Sequence, residues 1–282
     1  MSNTEHASDV VRRILVGVDG SEDGLRAVRY ATRAALATGA ALWIVNVADP
    51  GAMVTGMWEL VVTTEALEDA GHDVVDEAVG VAKELGLPRE LMTLDVQVGK
   101  AAEVLAELSG KADLLVVGRR SMSGLERMFV GSTSVAVAAM AECPVIVISA
   151  SSTPHETGGQ GTVAVAISSW PPHSNALDWG AAEATLRKAR LRVVHVVPAE
   201  VGTQASALAD STAELEKHLR PLREQHPDTA IDLDVLIGTP IDELIALSDS
   251  VDLLILGVHP EHLRGLARGV LAHAHCPVGL TR

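Results

Sequence analysis

Aromatic side chains are nearly missing from this chain, with one tyrosine, one phenylalanine and four tryptophans among 282 residues. Its cores must therefore be packed from Val, Leu, Ile and Ala, and a hydrophobic fraction of 48% is ample for that. Cysteine is scarce too. Cys143 and Cys276 each precede a Pro-Val that opens an apolar run, which reads as one packing position used twice. Two thiols fit a reducing cytosol better than a disulfide does. No apolar stretch reaches the ~18 residues needed to span a bilayer. The first residues, MSNTEHASD, lack the apolar centre of a signal peptide. A cytoplasmic location with no membrane partner is the expectation. Basic residues are outnumbered, 22 Lys and Arg against 37 Asp and Glu, for a formal net charge of −15. Such a surface repels nucleic acid. It leaves room for a small anionic ligand, because backbone N–H groups hold phosphate without net positive charge.

What the chain does contain is an internal repeat. The run Arg13-Ile-Leu-Val-Gly-Val-Asp19 corresponds to Thr162-Val-Ala-Val-Ala-Ile-Ser168, an offset of 149. The same offset aligns Ala27 with Ala176, Tyr30 with Trp179, and Ile44-Val-Asn-Val47 with Val193-Val-His-Val196. It falls to 139 where Asp113-Leu-Leu-Val-Val-Gly118 matches Asp252-Leu-Leu-Ile-Leu-Gly257, and to 133 at the two Cys-Pro-Val segments. A polar tail at 1–11 precedes a first domain at 12–150. A Ser-, Pro- and Gly-rich linker at 151–161 leads to a second domain at 162–282.

Within the first repeat, strands are expected at 13–19, 41–47, 92–98, 113–118 and 145–149. Helices are expected at 23–38, 62–86, 101–110 and 132–142. The second helix carries Leu67, Ala70, Val74, Ala78, Val81 and Leu85 at spacings of three and four, one apolar stripe. A matching stripe in the second repeat is Leu208, Leu215, Leu219 and Leu222. The strands are continuous apolar runs, as in a parallel sheet covered on both faces. The expected fold class is α/β, two tandem doubly wound domains with parallel five-stranded sheets of flavodoxin or Rossmann type. Ligands of such sheets bind at the carboxyl ends of the strands, after Asp19, Val47 and Gly118.

After the fourth strand comes Gly118-Arg-Arg-Ser121-Met-Ser-Gly124-Leu-Glu-Arg-Met-Phe-Val-Gly131-Ser132-Thr133-Ser134. Gly131 to Ser134 resemble the start of a helix, whose free N–H groups and dipole attract anions. Ser132, Thr133 and Ser134 add hydroxyl donors, and Arg119, Arg120 and Arg127 add positive charge. The alternative is a Gly-rich turn before a capped helix that holds no ligand.

The arrangement resembles a tandem universal stress protein. Nucleotide-binding members of that family carry Gly-x-x-Gly, nine residues, then Gly-Ser or Gly-Thr. Here Gly118-x-x-Ser121 is followed by nine residues and Gly131-Ser132. The resemblance implies ATP, possibly with Mg, in the first repeat. Gly17 and Asp19 would lie at the adenosine, the Val47 backbone at adenine, and Gly118 to Ser121 with Gly131 to Ser134 around the phosphates. Ser121 replaces a glycine. If that position needs a positive φ, serine costs on the order of 1 kcal/mol, or roughly tenfold in affinity. If the glycine made room, the loss is larger.

The second repeat lacks six residues in the equivalent loop, since the offset falls from 139 to 133 there. Arg264 stands where Gly131 would fall, Ser168 replaces Asp19, and Trp170 replaces Ser21. Weak or no nucleotide binding and a structural role are expected for it. Pairing through Val145 to Ile148 and Val278 to Leu280, edge strands otherwise exposed, would make an intramolecular pseudo-dimer. A homodimer of two chains and an unidentified protein partner stay open.

Other signals have plain readings. His273, His275 and Cys276 read as a helix end leading into a strand, and no metal is expected. Met53, Met57 and Trp58 read as loop packing or as a cover or partner surface. An enzyme ranks last. There is no Gly-x4-Gly-Lys-Ser/Thr loop, and none of the His-x-Gly-His or Ser-Gly-Gly-x-Asp-Ser segments of adenylating relatives. No residue is placed to complete an acid–base pair with Asp19. A nucleotide-responsive regulator and a nucleotide-free interaction module remain the two main readings.

Overall fold

The computed structural model describes residues 12–49, 64–119, 132–152, 161–168, 175–198, 205–258 and 265–282. The first repeat forms β1 (Arg13–Val18), α1 (Glu22–Thr38), β2 (Ala41–Ala48), α2 (Thr64–Glu84) and β3 (Met92–Val98). It continues through α3 (Ala101–Ser109), β4 (Leu114–Gly118), α4 (Ser132–Met140) and β5 (Val145–Ile148). The second repeat begins with β6 (Thr162–Ile167), α5 (Ala176–Arg187), β7 (Arg190–Val197), α6 (Ala205–Gln225) and β8 (Ile231–Ile237). It ends with α7 (Pro240–Leu247), β9 (Leu253–Gly257), α8 (Leu266–His273) and β10 (Val278–Thr281). The alternation read from the apolar runs is present in both repeats.

Local chemistry sets several of these boundaries. Ser21 caps α1, its Oγ accepting from the Gly24 N–H at 3.0 Å, and Glu22 and Asp23 place negative charge at the positive end of the helix dipole. Gly39 ends α1 in the left-handed region with φ 70°, where any other residue pays a steric penalty. At the opposite ends of the strands, the Arg13 N–H donates to Asp113 Oδ2 at 2.7 Å, and the Thr162 N–H donates to Asp252 Oδ2 at 2.8 Å. One device thus ties the first and fourth strands together in each repeat.

The two five-stranded sheets merge. The strand order is β3-β2-β1-β4-β5-β10-β9-β6-β7-β8. Pairs within each repeat are parallel, and β5 meets β10 antiparallel, with Val278 opposite Val147, Gly279 opposite Ile146, and Leu280 opposite Val145. Under the offset of 133, Ile146 and Gly279 are equivalent residues that face each other. A pseudo-twofold axis therefore passes through this pair, and the edges that each repeat would expose cover one another.

Each face of the joined sheet carries one core that runs across both repeats. One gathers side chains of α1, α2, α5 and α6 over Ile44, Ile146, Val165 and Ile255, and the other those of α3, α4, α7 and α8 over Leu15, Leu115, Val147 and Leu254. Leu15, Ile44, Leu115 and Ile255 are completely buried, as strands covered on both faces require.

The stripe expected on α2 is rotated by about one residue. Leu67 and Ala78 are buried as expected, but the remaining buried positions are Gly71, Val75, Val79 and Ala82. Val74, Val81 and Leu85 are half-buried, and Ala70 is exposed. Gly71 accounts for the rotation. A Cβ there would stand 2.6 Å from Val96 Cγ1 and 2.8 Å from Asn46 Oδ1, so the helix rolls its glycine onto the sheet. In α6, Leu215, Leu219 and Leu222 are buried, whereas the Leu208 side chain lies outside the described residues.

Both cysteines are free thiols. Burial pushes Cys143 and Cys276 up to about 12, which keeps both sulfurs protonated and unreactive at neutral pH. His273 ends α8 and Cys276 lies two residues before β10, and no metal-holding group of His, Cys, Asp and Glu occurs among the described residues. No described helix is long and apolar enough to cross a membrane.

Candidate functional site

The strand order reverses between β1 and β4, with β2 on one side and β5 on the other. The carboxyl ends of β1 and β4 therefore frame the crevice where ligands of such sheets sit. Asp19 follows β1 directly. Its Oδ1 accepts from the Ser21 hydroxyl at 2.6 Å and from the Ser21 N–H at 3.1 Å. Ser21 in turn caps α1, so Asp19 fixes the turn that carries the chain from strand to helix. Asp23 lies in the first turn of α1, 4% exposed, with Oδ1 taking a hydrogen bond from Arg26 at 2.8 Å and Oδ2 without a hydrogen-bond partner among the described residues.

Val47, half-buried, sits one residue from the end of β2 and opposite Gln97 of β3. Its neighbour Asn46 was not singled out by sequence reasoning. Asn46 is 6% exposed, and its Nδ2 donates to the Val18 carbonyl at 2.8 Å. It joins the end of β2 to the end of β1 beside Asp19. The equivalent residue, His195, places Nδ1 3.0 Å from the equivalent carbonyl of Ile167, and donates there in the Nδ1–H tautomer. A lone polar residue inside an apolar strand, matched by another at offset 149, was the available signal.

Gly17 and Gly118 each have a packing reason that needs no ligand. A Cβ on Gly17 would meet Leu105 Cδ1 of α3 at 2.9 Å. A Cβ on Gly118 would lie 2.7 Å from the Asp23 carbonyl carbon, 2.8 Å from the Gly24 nitrogen and 2.9 Å from the Asp23 oxygen. Gly118 thus lets the first turn of α1 rest on the end of β4, which brings that helix N-terminus into the crevice.

Arg119 reaches across to the second repeat. Its side chain is buried, and Nη1 donates to the carbonyls of Leu271 at 3.2 Å and Ala272 at 2.7 Å in the last turns of α8. The final carbonyls of a helix lack intrahelical donors and carry partial negative charge, which makes them strong acceptors for a guanidinium. Arg282 reciprocates, donating Nη2 to the carbonyls of Met140 and Ala141 at the end of α4. Each repeat caps the last helix of the other.

On the far side of the crevice, α4 begins at Ser132. Thr133 is half-buried and Ser134 is 1% exposed. The free N–H groups of this first turn suit an anion, while the Ser134 side chain is closed off inside the protein. Arg120, Ser121, Arg127 and Gly131 lie outside the described residues, as do Met53, Met57 and Trp58. In the second repeat Ser168 follows β6, and α8 starts at Leu266 after Gly265, with no side-chain cap. Arg264 and Trp170 fall outside the described residues.

The chain matches the Universal stress protein family over residues 11–149 and again over 161–282. Universal stress protein Rv2005c of Mycobacterium tuberculosis is 26% identical over 279 residues, covering 93% of this chain and 92% of that protein. Universal stress protein MJ0531 of Methanocaldococcus jannaschii is 30% identical over 149 residues, 51% of this chain and 85% of that protein. A solved universal stress protein from Archaeoglobus fulgidus superposes with a TM-score of 0.68 over 96% of both chains at 15% identity, a likeness of fold. With one family matched twice along its length and relatives matched nearly end to end, this chain belongs to the universal stress protein family as a tandem of two such domains.

Proposed function

We propose that the first domain, residues 12–150, binds an adenine nucleotide and that the chain is a nucleotide-responsive regulator, not a catalyst. The second domain, 162–282, joined through 151–161, acts as its structural partner. The asymmetry of the two repeats at one topological position carries this reading. At the end of β4 the next helix opens on Ser132, Thr133 and Ser134, and at the end of β9 it opens on Leu266, Ala267 and Arg268. The first arrangement would present helix N–H groups and the half-buried Thr133 to phosphate, and the second has no hydroxyl residue there. ATP is the nucleotide of choice. Asp19 and Asp23 border the crevice with negative charge, which favours a triphosphate whose charge is offset by magnesium. Since no described carboxylate cluster holds a metal, the ion travels on the phosphates. Occupancy would bias the segments 48–60 and 119–131, and a protein partner would read the difference, provided the ligand binds the two states unequally.

A nucleotide-free interaction module is the second reading. Arg119 and Asp19 favour it, because both side chains serve contacts within the protein. Calorimetric titration of ATP into the wild type and Thr133→Glu separates the two. A carboxylate in the first turn of α4 complements the helix dipole by about 0.3–1 kcal/mol, so the variant keeps its stability while repelling phosphate. Affinity is expected to fall at least about tenfold. Equal affinity in both proteins sinks the proposed site. Absence of binding in the wild type supports the interaction module, and sustained ADP release by the pure protein revives catalysis.

A further inference from the structure

The pseudo-twofold axis creates a second opening at the amino-terminal ends of the strands, away from the nucleotide crevice. It is a cleft of about 590 Å³ between α1 and α5, within the usual range for small-molecule sites. From α1 it is lined by Tyr30, Arg33, Ala34 and Ala37. From α5 it is lined by Trp179, Ala182, Glu183 and Leu186. Both sets follow the spacing of one helix face, and each residue of the first set is equivalent to one of the second at offset 149.

The equivalent positions have diverged, and one of the differences, Arg187 where the first repeat has Thr38, adds an arginine to the second wall that is already held by Glu183. The first repeat contributes Arg33 where the second has Ala182, and Arg12 where the second has Gly161. The second contributes Leu186, 41% exposed, where the first has Ala37. A cleft between two identical domains would carry these arginines on both sides or on neither. The cleft therefore has Arg12 and Arg33 on the first repeat's side, and on the other side an apolar surface beside the Glu183–Arg187 ion pair.

The acids in the cleft already serve the protein. Asp113 and Asp252 accept backbone N–H bonds at 2.7 and 2.8 Å. Glu183 holds Arg187 at 2.9 Å, and Arg187 also donates to the Tyr30 hydroxyl at 2.5 Å. Among the described residues no carboxylate pairs with Arg12 or Arg33. We infer that the cleft binds a small organic anion with an apolar body, a carboxylate or sulfonate on an aryl or alkyl frame. Its charged head lies toward Arg12 and Arg33, and its body lies on Leu186, Ala182 and the Trp179 ring. Guanidinium suits such a head through charge-assisted hydrogen bonds, and the buried apolar area adds affinity. The site is independent of the nucleotide reading.

Anilinonaphthalene sulfonate, an aryl sulfonate that fluoresces on leaving water, is the probe. It is titrated into the full-length wild type, Arg33→Glu, Ala37→Trp and Thr133→Glu. Arg33 and Ala37 are exposed on α1, so these substitutions leave the core intact, and circular dichroism checks that. One saturable site is expected in the wild type. It weakens by at least about tenfold in Arg33→Glu, vanishes in Ala37→Trp, which fills the cleft, and persists in Thr133→Glu and with saturating ATP. Unsaturable binding, displacement by ATP, or matching isotherms in the wild type, Arg33→Glu and Ala37→Trp would overturn the assignment.

Discussion

Isoleucine at position 279, the residue that the first repeat carries at Ile146, is expected to destabilise the chain by about 3 kcal/mol. Gly279 lies on the pseudo-twofold axis opposite Ile146. A single Cβ there would stand 2.6 Å from Trp179 Cη2 and 2.8 Å from Cζ3. The ring packs against the core, so relieving the clash moves it off that packing and into the basal cleft. The first repeat has a smaller ring, Tyr30, and a larger strand residue, Ile146. The second has the larger ring with glycine. Volume is balanced about the axis by opposite choices, which a symmetric dimer cannot make. Urea denaturation of Gly279→Ile, Trp179→Ala and the double variant measures this directly. The double variant is expected to lose about 1–3 kcal/mol less than the sum of the single losses. Strict additivity would show that the two positions do not share this space.

Gly118→Ala is the second large effect, expected at about 2 kcal/mol in the absence of any nucleotide. The three atoms nearest to the new methyl group belong to the backbone of Asp23 and Gly24. They can yield only if the first turn of α1 lifts off β4, which also breaks the Ser21 cap. Gly17→Ala is the internal contrast. Its nearest atom is the end of the Leu105 side chain, which turns aside for about 1 kcal/mol or less. Thermal unfolding of both variants without ligand checks the order. If Gly118→Ala is as stable as the wild type and merely binds ATP less well, this glycine faces the ligand, and the helix contact is secondary.

These two glycines show where sequence reading stops. The motif spacing points to Gly118 as a phosphate-facing glycine and carries no sign of its packing constraint. The neighbour that needs the space is a helix about ninety residues earlier in the chain, which only the fold brings there. Arg119 likewise has partners that the motif does not reveal. A guanidinium beside a glycine loop reads as a phosphate ligand, and its Nη1 also reaches carbonyls more than 150 residues away. The elements themselves were legible, because strands buried on both faces must be continuous apolar runs and their helices must alternate with them. The last strands were legible as the meeting edges, because each repeat would otherwise leave one exposed. The roll of α2 was not. Gly71 carries no hydropathy signal, while its missing side chain decides which face reaches the sheet.

Fusion of the repeats explains the asymmetry seen at three places. One seam residue is glycine and its mate isoleucine, one wall of the basal cleft carries arginines unpaired among the described residues while the arginine of the other is held in an ion pair, and one fourth-strand helix opens on hydroxyl residues while its mate does not. A homodimer would show each feature twice. Covalent linkage allows one copy to keep a ligand site while the other diverges toward packing, and the reciprocal arginine caps on α4 and α8 hold the two copies in register.

Equilibrium dialysis against radiolabelled ATP, with protein first stripped of bound nucleotide by unfolding and refolding, counts the sites. The account predicts saturation at one ATP per chain. Saturation at two would mean that the shortened loop of the second domain still cradles phosphate, and failure to bind at all would mean that the hydroxyl-bearing start of α4 is a capped helix and nothing more.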